Sequence, residues 1–228
     1  DTLNLKNGSV DFSNASSLTM LSNGIFIWEG GSFTLGMGSF IGTNPYNVLY
    51  KGLTRGTGFE TSGSGLKNVT VSLASITETI SLYSNMAVNG LLKLDMGYLY
   101  LDANNLSVNG TYSSTINGKL TGHANSTLKI NNPAVAFGDT LRFPAIPTTL
   151  DSLIINTMPS SWVVMTSGLI VGNVKLMSGG LMLTDGDLTI NSPGVVSGYD
   201  STKYIGMNGA GSLVMNVNVA SPYVKFPI

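Results

Sequence analysis

The chain has 228 residues, 43% of them hydrophobic and only 10% charged, with a formal net charge of -1. That balance leaves no electrostatic basis for binding nucleic acid or for lying on anionic lipid. The absence of cysteine excludes a disulfide framework and a thiolate metal site, and no apolar run approaches the ~18 residues of a membrane span. Lys and Glu are scarce, which argues against a typical cytosolic enzyme. Asn, Ser, Thr and 28 glycines supply the polarity and the turns.

Short alternating stretches follow one another along the chain. Asp1 leads directly into "TLNLKNG", as it would after removal of a leader or in a piece of a longer chain. "LKNGSVDFSNASSLTM" starts at Leu5, "GIFIWEG" at Gly24 and "LKNVTV" at Leu66. "LDMGYLYLDANNLSV" starts at Leu94, "STLKI" at Ser126 and "LRFPAI" at Leu141. "LDSLII" starts at Leu150, "LMSGGLMLTDGDLTI" at Leu176, "GSLVM" at Gly211 and "YVKFPI" at Tyr223. Apolar residues two apart describe strands with one buried face. The breaks are Gly, Asn, Asp and Ser, which turn at low cost. Helical periodicity of 3.6 residues is nearly absent.

The stretches also repeat over a longer distance. Gly8, Gly97 and Gly179 align, as do Val10, Leu99 and Leu181; Phe12, Leu101 and Leu183; and Leu18, Leu106 and Leu188. The spacing is 82 to 89 residues, a higher-order repeat of about 85. It divides the chain into a partial unit over 1–65, a unit over 66–149 and a unit over 150–228. Strands this short bury little area as hairpins but much when stacked. The pattern therefore predicts an all-β parallel β-helix, or β-solenoid, in which each strand is one side of a coil of ~20 to 25 residues. One unit then holds about four coils. The alternative is a tandem of β-sandwich domains, for which strand spacing of ~8–12 residues is the usual signature.

Few residues point to chemistry. Lys93, Asp95 and Asp102 fall on adjacent strands, and Asp185 and Asp187 share a turn. Lys93 has a counterpart in Lys175, as a repeated surface group would and a unique active site would not. His123 is the only histidine, in the turn "LTGHANS", and neither a catalytic triad nor a histidine metal site can be assembled around it from sequence. "TDGDL" at Thr184 lacks the repeated nonapeptide of calcium-binding solenoids. The expectation is thus no cofactor, no metal and no enzyme. The aromatics say more. Leu99 and Leu101 match inward leucines, so Tyr98 and Tyr100 point outward, side by side. In "GIFIWEG" one of the two alternating pairs faces out, and Phe26 and Trp28 join the tyrosines as candidate ligand-stacking residues.

The run from Gly172 to Ile228 resembles a repeat of large secreted surface proteins of Bacteroidota. The resemblance is carried by Leu176 to Ile190, Tyr204, Gly209 to Leu213 and Phe226-Pro227. It implies export by the type IX secretion route and a place at the cell surface or in an extracellular fibre. In that phylum exported proteins carry O-glycans at Asp-Ser/Thr triplets, which makes Thr2, Thr140, Ser152 and Ser201 candidate acceptors. The Asn-x-Ser/Thr sequons, among them those at Asn14, Asn68, Asn105, Asn109 and Asn125, reflect composition. The last unit stops where the preceding one runs on, so the pattern implies a chain that continues past Ile228.

The first functional expectation is a non-enzymatic structural or adhesin segment that forms a rigid rod. Its partners are neighbouring repeats of the same chain or copies associating end to end. The alternatives are a β-helix that binds or cleaves surface glycans, and a passenger recognised by the type IX machinery.

Overall fold

A computed structural model describes residues 1–12, 16–145, 148–191 and 193–216. Among them every strand pairing is parallel, and the one antiparallel contact is an isolated bridge between Asp200 and Lys203. Parallel pairing without hairpins rules out the tandem sandwich. The strands wind into a β-solenoid of about 9 turns. Partners in adjacent coils lie 18 residues apart at the shortest, as for Val164 and Met182, and 25 at the longest, as for Leu128 and Leu153.

Each coil has three faces. In the middle unit Met86–Val88 supplies the first and Leu91–Tyr100 the other two. Leu92 and Leu94 point into the core from the second face and Leu99 from the third. The corner between them is Gly97, whose φ of 89° lies in the left-handed region. A Cβ there would also meet the Glu78 carbonyl at 2.8 Å. Only glycine turns this corner without strain. Its counterparts Gly8 and Gly179 have φ of 79° and 74°, so the glycines aligned by sequence hold one conformation.

Inward side chains stack in columns. Leu3, Phe26, Val48, Val69 and Leu92 form one, with Leu5, Trp28, Tyr50, Val71 and Leu94 beside it. Met86, Leu106, Leu128, Leu153 and Val174 form another. Nearly all are fully buried, and each such aliphatic contributes roughly 1.5–3 kcal/mol. The amino-terminal end of the core is aromatic. Phe26, Phe33, Phe40 and Phe59 pack together there, with Phe33 and Phe59 ring centroids 4.1 Å apart. Phe59 arrives on the short 3-10 turn Phe59–Thr61.

Polar side chains also stack. The Asn109 amide donates to Asn89 Oδ1 at 2.9 Å, Asn131 to Asn109 at 3.1 Å, and Asn156 to Asn131 at 3.0 Å. This amide ladder fixes one corner over four coils and uses Asn109, one of the sequon residues.

The sequence units do not all stack in phase. From Leu5 to its counterpart Leu94 the register runs through four whole coils. From the middle unit to the last it falls one face short. Leu153 is the counterpart of Val69 on the second face, yet it stacks on Leu128 from the first. At this seam the Ser114 N–H donates to Asp139 Oδ2 at 2.9 Å and the Ser114 hydroxyl to the Thr140 carbonyl at 2.9 Å. Arg142 Nη1 donates to Ser114 Oγ at 2.8 Å and to the Thr140 carbonyl at 3.2 Å, 3.6 Å from Asp139. Side-chain hydrogen bonds here supplement the regular ladder.

Candidate functional site

The outward side chains of the third face come from strands Arg55–Gly56, Thr79–Ser81, Leu91–Tyr100 and Gly118–Thr121. Tyr98 and Tyr100 stand outward and half-exposed around the buried Leu99, as the alternation predicts. Tyr98 lies between Thr79 and Lys119, and Tyr100 between Ser81 and Thr121. Burial, with the Asp102 carboxylate second, raises the Tyr100 hydroxyl above its usual pKa, so it is a neutral donor at physiological pH.

Sequence reasoning missed a third ring on this face. Tyr83 follows the Thr79–Ser81 strand and is 73% exposed. Its backbone N–H donates to Thr57 Oγ1 at 3.1 Å. A Cβ placed on Gly56 would collide with its Cζ and both Cε carbons. Contact with all three atoms means that the ring lies face down over the glycine. Gly56 is the signal: it is the residue that leaves room for a ring.

Phe26 and Trp28 do not belong to an outer surface. Phe26 is 0% exposed, and Trp28 packs against the core with Arg55 over its ring, 5.7 Å from the centroid. The outward pair of that strand is Ile25 and Ile27. Its register with Val48, Tyr50, Val69 and Val71 puts Phe26 and Trp28 in the inward columns, which local alternation alone leaves undecided. Phe26 is thereby closed to an external ligand, and the half-buried Trp28 is engaged by the core and by Arg55.

The other candidates are dispersed. Lys93 pairs with Asp95 at 3.0 Å on the second face, whereas Asp102 lies beyond the Gly97 corner and past the third face. Asp187 Oδ1 accepts the Ser212 N–H at 2.9 Å, a turn-closing bond. His123 is exposed, and its Nδ1 accepts the Asn125 N–H. No group of three His, Cys, Asp or Glu able to hold a metal occurs among the described residues. Of the acceptor candidates, Ser201 is exposed in a turn and Thr2 is exposed on the first strand. Thr140 and Ser152 are half-buried within paired strands. Asn14 and the segment from Tyr223 to Ile228, with Phe226-Pro227, lie outside the described residues.

One carboxylate is in the interior. Glu60, on the Phe59–Thr61 turn, is 0% exposed. The Tyr50 hydroxyl donates to its Oε1 at 2.5 Å and the Gly58 N–H at 2.8 Å. Burial pushes its pKa up, and the hydrogen bonds from Tyr50 and Gly58 offset this only in part. The same burial raises Tyr50 and Tyr46. This cluster is sealed inside the coil and is a feature of folding, not a surface site.

No family model, no curated protein and no solved structure matches the chain.

Proposed function

We propose that the chain is a non-enzymatic rod segment of an extracellular surface or fibre protein, with coil number setting its length. The observation that carries this reading is the unbroken parallel stacking. About 9 turns at a strand spacing of about 4.8 Å give a span of roughly 43 Å. Neighbouring coils are joined by backbone bonds, apolar columns and an amide ladder. Contacts are local along the axis, so units add length without redesign. A chain with only 10% charged residues and a polarity of amides and hydroxyls suits an extracellular role, as does the likeness of the last third to Bacteroidota surface proteins. That likeness also supports export by the type IX route.

The test is protease treatment of intact cells of the native host, followed by immunoblotting. Loss of the intact band, with a cytoplasmic control spared, is expected. Protection until the cells are lysed would overturn the surface assignment. The rod itself is tested by small-angle scattering of the chain with the middle unit duplicated; an unchanged maximum dimension refutes it.

A further inference from the structure

We propose that the third face of the middle unit binds an extended, uncharged polysaccharide, with Tyr83, Tyr98 and Tyr100 as its stacking platforms. The proposal deepens the rod reading by giving the rod a ligand, and it rests on that reading for its extracellular setting.

Three observations carry it. The first is the attitude of the rings. Tyr83 lies flat over Gly56 and is 73% exposed, so one ring face is covered by backbone and the other is offered to solvent. Aromatic faces stack on the C–H faces of sugar rings, whose axial hydrogens are apolar. The second is spacing. Gly56, Ser81 and Tyr100 are register partners in three successive coils. The Tyr83 platform and Tyr100 are thus about two coil rises, or ~9.6 Å, apart, close to the interval between alternate rings of an extended β-linked glycan. Tyr98 and Tyr100, two residues apart on one strand, widen the platform sideways by ~6.6 Å.

The third is the chemistry between the rings. Thr79, Ser81 and Thr121 present hydroxyls on the same outward rows, able to donate to and accept from sugar hydroxyls. Charges there are either engaged or balanced. Arg55 is turned onto Trp28 and the Glu29 carbonyl, and Glu78 is held by Thr54. The formal charges of Lys119 on this face and of Asp102 just past it are opposite in sign. A face of rings and hydroxyls without net charge selects a neutral glycan over an acidic one. Covering Gly56 also shields the strand edge, so Tyr83 has a packing role as well, and the variants are therefore made at Tyr98 and Tyr100, whose rings cover no glycine.

The experiment is affinity electrophoresis of the whole chain in gels containing a neutral glucan, a neutral xylan or the acidic polymer alginate, with melting temperature measured in parallel. Retardation by a neutral polymer is expected, with the Tyr98→Ala/Tyr100→Ala double variant weakened at least about tenfold at unchanged melting temperature. The Tyr98→Phe/Tyr100→Phe variant keeps the rings and should keep most of the retardation. No retardation by either neutral polymer overturns the proposal, as does retardation by alginate alone or equal retardation of the alanine variant. The rod reading fails on other measurements, protease protection or an unchanged particle length, so the two failures are distinguishable.

Discussion

Leu5 and Leu94 occupy one inward column, four coils apart, and they are the same position of the sequence repeat. Leu94 and Leu176 are also counterparts, yet Leu176 belongs to the column of Ile155, Ile130, Val108 and Val88. The last unit is therefore set back by one face. A surface feature shared by the two units, such as Lys93 and Lys175, is presented on different sides of the rod.

The corner glycines give a graded test. Gly97→Ala places a Cβ in the left-handed region and against the Glu78 carbonyl and the Leu73 side chain; a loss of about 1–3 kcal/mol is expected. Gly8→Ala meets nothing within 4 Å, so only the backbone term of about 1–2 kcal/mol applies. Urea unfolding of both variants checks the order, and a larger loss for Gly8→Ala would contradict the corner geometry.

Removal of one rung tests the amide ladder. Asn131 donates to Asn109 and accepts from Asn156. Asn131→Ala leaves one half-buried amide without its acceptor and another without its donor, a cost of about 1–3 kcal/mol. Amide hydrogen exchange should accelerate first in the coils carrying Asn109 and Asn156. Exchange that accelerates uniformly argues that the ladder is not a local clamp.

The buried Glu60 gives the fold a sign in its pH response. Its folded pKa is raised above the ordinary 4.5, so as pH rises from there the unfolded chain releases this proton first. Between the two values the folded state binds more protons, and stability falls with rising pH. Glu60→Gln removes that slope and keeps acceptors for Tyr50 and Gly58. The variant should gain on the wild type in melting temperature from pH 4.5 towards neutrality. Asp139 acts in the opposite sense. Burial alone would raise its pKa, but the N–H groups of Ser114 and Thr140 and the Arg142 guanidinium hold it low. It is present in both chains and cancels in the comparison. A difference that stays flat with pH would show that Glu60 does not titrate within the fold.

Arg142 is expected to hold the seam. It bonds the Ser114 carbonyl and hydroxyl and the Thr140 carbonyl. Arg142→Ala should cost about 1.5–3 kcal/mol, the range for hydrogen bonds to a charged group. Limited proteolysis should then cut preferentially between the middle and last units. Cleavage that remains evenly distributed would place the weak point elsewhere.

Sequence alone determined the kind of fold. Alternation around Leu99 and Leu181, glycines at 8, 97 and 179 and the 82 to 89 residue spacing favour short strands stacked in parallel, because such small elements bury little area as hairpins, and the parallel register then removed the tandem sandwich. Sequence also placed Tyr98 and Tyr100 outward, since the aligned leucines fix the inward set. Tertiary structure decided what depends on which coil lies above which. Phe26 and Trp28 read equally well on either side of their strand, and only the columns through Val48 and Val69 turn them inward. Tyr83 becomes a platform because Gly56, 27 residues earlier, lies beneath it. The one-face shortfall of the last unit is set by coil lengths that vary between 18 and 25 residues. The length of any one coil is a property of how its turns pack, which the local pattern of apolar and polar residues does not encode.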